Sequence, residues 1–240
     1  MSEPRALLVS LRDPHDPMAL QEARCFATRA RLPLDAVDLH PMVEGRPDAG
    51  RLRRYDAVFF GGSGAYSVLD DVGWIRDGMA TCLEVIELRI PAWASCFGFQ
   101  GVSLALGGEV VRDDARQELG SYELRLTEAG VADPVIGALP PVFWGQEGHH
   151  DHVITLPRGV TRLAVGSGIE NQAFVVDGSP FYASQFHPEL TSDTTIERFV
   201  HYAALYAEPG TSDAIVAHLR SGPDTPEMGE VLARLARLGR

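Results

Sequence analysis

Residues 90–101 read IPAWASCFGFQG. Pro91 to Ser95 is short, apolar and bounded by proline, as a buried strand of a parallel sheet is. Phe97 to Leu106 has helical spacing and stops at Gly107 and Gly108. Cys96 falls at the handover. A side chain in such a strand-to-helix turn stands above the carboxyl edge of the sheet, beside a helix N-terminus whose dipole favours a thiolate. The turn crowds the backbone, and Ala94 and Gly98 supply small neighbours two residues to either side. This is the pattern of a nucleophile elbow with cysteine in place of serine. Taken alone, a cysteine after an apolar strand fits a buried small hydrophobe equally well.

Upstream, short apolar runs at Ala6 to Leu11, Leu34 to Leu39 and Ala57 to Phe60 alternate with helically spaced stretches at Pro17 to Arg31 and Val72 to Leu88. That alternation predicts βα units and crossover helices. Downstream of Gly108 the segments become brief and alternating: Glu109 to Arg112, Tyr122 to Leu126, Val153 to Leu156, Arg162 to Val165, Gln172 to Val176 and Phe181 to Gln185. They predict mixed, partly antiparallel strands. Thr191 to Tyr206 follows as a helix, and a break at Glu208 to Gly210 leads into two short amphipathic helices. The expected organisation is one α/β domain over residues 1–207 and a helical extension over 208–240. Cys25 and Cys82 lie within helical stretches and are expected to be structural or exposed.

The bulk composition excludes several functions. The chain has 21 basic residues, all arginine, against 33 acidic ones, for a net charge of -12. That field repels phosphate backbones and anionic membranes, so neither nucleic acid nor a membrane is an expected partner. Without lysine there is neither Schiff-base chemistry nor a phosphate-gripping P-loop. Three irregularly spaced cysteines make no disulfide framework, and no signal-peptide core or membrane-length apolar run is present. A cytoplasmic protein is expected.

SPFYASQFHPELT (residues 179–191) sets His187 and Glu189 at the close of another strand, on either side of Pro188. Residues two apart in extended chain share a face, so the carboxylate can lie beside the imidazole. A cysteine nucleophile needs an imidazole as base and acid, and the imidazole needs a group to fix its tautomer. An isolated histidine with an acidic neighbour is usually incidental; paired with the elbow, it gains a purpose.

Three blocks, FFGGSGAYSVLDD, ASCFGFQG and SQFHPELT, together resemble the class I glutamine amidotransferases, especially stand-alone domains similar to the glutaminase part of GMP synthase. The resemblance runs from about Ala57 to about Ala207. It implies a doubly wound, flavodoxin-like, mostly parallel sheet with a small antiparallel flap. By the same resemblance Cys96 would attack the glutamine side-chain amide, His187 would relay protons and Glu189 would hold His187. Gly62 and Phe97 would offer backbone N–H groups to the oxyanion, while Gln100, His149 and Asp151 would lie against the substrate.

Three positions depart from the family pattern: Ala94 replaces a glycine, Ser63 a proline and Phe99 a histidine, the last expected to make one pocket wall apolar. The histidines of GHHDHV (residues 148–153) alternate along what reads as an irregular loop, so no metal is expected, and no cofactor is implied. The resemblance implies hydrolysis of glutamine through a γ-glutamyl thioester, with ammonia passed to a separate synthetase subunit. An autonomous γ-glutamyl hydrolase would use the same triad, and a catalytically silent regulatory domain would keep only the fold. A dinucleotide-binding protein fits less well, because GGSGAY lacks GxGxxG spacing.

Overall fold

A computed structural model describes residues 3–238; residues 1–2 and 239–240, the outer ends of the two segments expected above, lie outside the described residues. The first half runs β1 (Ala6–Ser10), α1 (Met18–Ala30), β2 (Val37–Pro41), α2 (Ala49–Leu52), β3 (Ala57–Phe60), α3 (Gly73–Glu87), β4 (Ala92–Ser95) and α4 (Phe97–Ala105). The second half runs β5 (Glu109–Arg112), β6 (Glu118–Leu126), α5 (Glu128–Ala132), β7 (Val142–His149), β8 (Asp151–Thr155), β9 (Val160–Gly166), β10 (Ala173–Val176), β11 (Phe181–Ser184), α6 (Ser192–Tyr206), α7 (Ser212–Ser221) and α8 (Met228–Leu235).

The principal sheet has the order β2-β1-β3-β4-β11-β10-β9-β6-β7, and β5 pairs with β8 in a small antiparallel sheet. Strands β2, β1, β3, β4 and β11 are parallel. Strands β10, β9, β6 and β7 continue the same sheet antiparallel. The later strands therefore mainly extend the central sheet, and β5 with β8 forms the flap.

Burial on both faces explains the near-continuous apolar runs of the parallel strands. Ala6 and Leu8 of β1 enter one core with Phe26, Phe59 and Trp93, while Leu7 and Val9 enter the other with Phe60, Ile75 and Phe97. Phe26 stacks on Phe59 at 4.7 Å between ring centroids, pinning α1 to the sheet. Helix α8 adds Met228, Val231, Leu232 and Leu235, all fully buried, to the first core. Helix α7 brings Leu219 against Ile196 and Phe199 of α6.

Three details differ from the sequence reading. Leu34–Ala36 is a 3-10 turn, so the second strand starts at Val37. Strand β7 replaces what reads as connecting chain, because its polar and glycine-rich sequence, Gly145–His149, is paired along its length with β6. GHHDHV is not an irregular loop: His149 ends β7, and Asp151 to Val153 lie in β8.

Candidate active site

The carboxyl ends of β1, β3, β4 and β11 meet the start of α4 and the end of β7, and Cys96 stands at their centre. Its backbone has φ 49° and ψ -100°, a conformation an L-residue adopts only when its surroundings impose it. The Cys96 N–H donates to Ser184 O at 2.7 Å, locking the turn onto β11. A Cβ added at Gly98 would lie 3.0 Å from Phe60 Cβ and 3.2 Å from Ala94 Cβ, which explains the small residues flanking the cysteine.

His187 and Glu189 follow β11. His187 Nδ1 lies 2.6 Å from Glu189 Oε1, and Glu189 Oε2 accepts from Ser95 Oγ at 3.0 Å. Arg198 of α6 places Nη1 3.4 Å from Glu189 Oε1. Burial pushes the Glu189 pKa up, but its pairing and hydrogen bond with His187, with Arg198 behind them, prevail and hold it down at about 2. The carboxylate is therefore ionised and engages Nδ1 of the imidazole.

Cys96 is 5% exposed. Burial, reinforced by the carboxylates of Glu147 and Glu189, raises its thiol well above the ordinary value. Burial thus works against the helix-terminus effect expected from sequence. Cys25 and Cys82 are also free and buried, which removes the exposed alternative. Burial pushes Cys25 up to about 11 and Cys82 further.

Two chambers meet at Cys96, Gly148, Tyr206, Ser63 and Gly64. The smaller, about 50 Å3, contains His187, Gly62 and Arg198. The larger, about 250 Å3, is lined by Phe97, Gln100, Tyr66, Arg112 and Asp151. Gln100 donates through Nε2 to Asp151 O at 2.7 Å and Gln185 Oε1 at 3.3 Å, so it anchors the start of β8 from within the chamber wall. Asp151 accepts from Ser67 Oγ and keeps Oδ1 without a hydrogen-bond partner. Phe97 opens α4, where a backbone N–H has no acceptor within the helix. Gly62 lies beside His187, but its N–H donates to Glu22 Oε1 at 2.9 Å. Phe99 lines neither chamber. It is fully buried and packs on Phe174 at 5.4 Å between centroids, so the expected apolar pocket wall is instead part of the core.

His149 also lines the larger chamber, and its Nε2 enters a buried cluster. Its Nε2 lies 3.2 Å from Glu118 Oε2 and 3.4 Å from Glu147 Oε2. Burial lowers the His149 pKa and the two carboxylates raise it, with a net rise to about 9. Glu118, Glu147 and His149 form the one group, among the described residues, whose ligand atoms are close enough to share a cation. The three histidines weighed from sequence do not make that set.

Arg12, Glu22, Arg198, Tyr202 and Tyr206 were not singled out by sequence. Arg12 was the most accessible to it, lying just beyond β1 at the carboxyl edge where sites of such sheets form. The others depend on packing between α1, α6 and the glycine loop.

The Cys96 elbow and the buried His187–Glu189 pair thus line one chamber at the edge of an α/β sheet. The chain belongs to the class I glutamine amidotransferase family, whose profile matches residues 45–203. It is 32% identical over 155 residues to one subunit of the glutamine-hydrolysing GMP synthase of Sulfolobus acidocaldarius, covering 63% of this chain and 77% of that one. Against the GMP synthase of Bartonella quintana it is 33% identical over 152 residues, 62% of this chain and 28% of that longer protein. In fold it is similar to a glutamine amidotransferase from Methylobacillus flagellatus, with TM-score 0.71, 18% identity and coverage of 98% and 95% of the two chains. A glutamine amidotransferase from Thermotoga maritima gives TM-score 0.69, 20% identity and coverage of 98% and 99%. No helix among the described residues is long and apolar enough to cross a membrane.

Proposed function

We propose that the chain is a glutaminase component that hydrolyses the glutamine side-chain amide through a Cys96 γ-glutamyl thioester and supplies ammonia to a separate synthetase. The observation that carries this is the His187 Nδ1–Glu189 Oε1 contact of 2.6 Å in a chamber shared with Cys96. His187 takes the thiol proton as Sγ bonds to the carbonyl carbon of the side-chain amide and the C=O π pair moves onto oxygen. The oxyanion then collapses, the C–N bond breaks, and the imidazolium returns its proton to the departing nitrogen, releasing ammonia. His187 next deprotonates a water that adds to the thioester, and the restored thiol leaves with glutamate in the pocket. Phe97 N–H, and Gly62 N–H once freed, are the oxyanion donors; Asp151 Oδ1 and the wall held by Gln100 face the rest of the substrate.

The Sulfolobus acidocaldarius relative is named as one subunit of its synthase, which implies at least one other. This chain also spans only 28% of a relative that carries the whole synthase name in one protein. The first of these supports a separate ammonia acceptor. Three free cysteines fit a reducing cytoplasm. Ammonia and glutamate release by the purified chain tests the reading. Glutamine should be hydrolysed slowly by the wild type and not at all by Cys96→Ala. Undiminished turnover by Cys96→Ala defeats it, and much faster hydrolysis of a γ-glutamyl peptide than of glutamine makes the chain an autonomous hydrolase.

A further inference from the structure

Gly62 N–H, one of the two donors assigned to the oxyanion, is already in use. Its acceptor, Glu22 Oε1, belongs to a fully buried carboxylate on α1. Arg12 donates to both Glu22 oxygens, from Nη2 to Oε1 at 2.9 Å and from Nε to Oε2 at 3.3 Å. The carboxylate presses on the glycine loop: a Cβ at Gly61 would fall 2.2 Å from Glu22 Oε2. Arg198 Nη1 lies 3.7 Å from Glu22 Oε1 and 3.4 Å from Glu189 Oε1, so one guanidinium serves both carboxylates. A single N–H directed at a buried carboxylate oxygen that Arg12 also holds cannot also be aimed at an oxyanion above Cys96.

We propose that Glu22 is a positioning residue for the glycine loop: it holds Gly62 N–H off the reacting centre, leaving the oxyanion site one donor short until the Gly61–Gly62 peptide turns over. Arg198 ties that turn to the histidine pair, because its Nη1 lies beside both Glu189 Oε1 and the Glu22 oxygen that Gly62 releases. The inference rests on the glutaminase reading above. One oxyanion donor is worth about 10²–10³ in kcat, which sets the ceiling of the restraint.

Two variants loosen the contact in different ways. Glu22→Asp keeps the charge beside Arg12 and withdraws the oxygen from Gly62; Glu22→Gln keeps the shape and removes the charge. In the full chain each should raise kcat for glutamine by about ten-fold or more, within that ceiling, with KM little changed and faster deuterium exchange at the Gly62 amide. A purely structural role predicts a fall in kcat together with the melting temperature. Unchanged or lower kcat in the folded variants, with Gly62 still protected from exchange, overturns the proposal. The wild-type chain gives a test independent of variant folding: with Cys96 alkylated by a chloroketone analogue of glutamine, Gly62 N–H should point at the adduct oxygen. An adduct with Gly62 N–H still on Glu22 overturns the proposal too. Cys96→Ala, assayed alongside, reports separately on the glutaminase reading; its inactivity combined with no gain in the Glu22 variants refutes the positioning role alone.

Discussion

Glu189 is ionised because His187 and Arg198 stabilise its charge more than burial penalises it. A folded-state pKa near 2 lies below the ordinary carboxylate value, so the associated stability is present at neutral pH and is lost as pH falls from about 4.5 towards 2. The loss is on the order of 3 kcal/mol. Glu189→Gln should flatten this acid limb, measured as melting temperature against pH. It should also lower kcat, though less than Cys96→Ala does, because the imidazole stays in place but loses its fixed tautomer. Cys25→Ser and Cys82→Ser should keep kcat near wild type while melting earlier, since each puts a hydroxyl at a buried site. Cys96, His187 and Glu189 were legible in sequence because each sits at a strand end with diagnostic neighbours. Glu22 was not, since its partner Gly62 is 40 residues away and only the packing of α1 brings them together. Phe99 shows the opposite failure: a position inferred to face the pocket points into the core.

Helix α6 carries Thr195, Arg198, Tyr202 and Tyr206 to the chamber walls, so its start determines where they stand. Thr191 and Thr194 form a reciprocal capping box there: Thr194 N–H donates to Thr191 Oγ1 at 3.1 Å, and Thr191 N–H donates to Thr194 Oγ1 at 2.8 Å. Thr191→Ala should cost about 1 kcal/mol, a fall in melting temperature of roughly 2–4 °C. Glutamine turnover should drop as well, because Arg198 loses its registration with Glu189; unchanged kinetics at the reduced melting temperature would detach α6 from the chemistry. The βα units were readable because apolar runs and helical spacing coincide there. Strand β7 was not, because its glycines and buried polar groups, Gln146, Glu147 and His149, reverse the usual apolar signal. Gln146 is satisfied by Ser121 of β6 and Thr195 of α6, contacts that exist only once the helix has packed on the sheet.

The sequence reading places residues 208–240 outside the main domain as a helical extension, and the position of that segment on the fold has a measurable consequence. Met228, Val231, Leu232 and Leu235 are fully buried in a core shared with α1 and the sheet. Burying each such side chain contributes about 1.5–3 kcal/mol, which together rivals the 5–15 kcal/mol net stability typical of a folded protein. A chain truncated after Gly222 should therefore lose its cooperative melting transition by circular dichroism. Melting like the full chain would show that the extension is separable. The amphipathic spacing of this segment was legible in sequence; its docking partner was not, because periodicity marks an apolar face without naming what covers it. The pairing of α8 with α1 also bears on synthesis. A ribosome delivers α1 roughly 200 residues before α8, or about 10–40 s earlier at ordinary elongation rates. Throughout that interval the apolar face of α1 that α8 will cover stays in contact with water on the nascent chain.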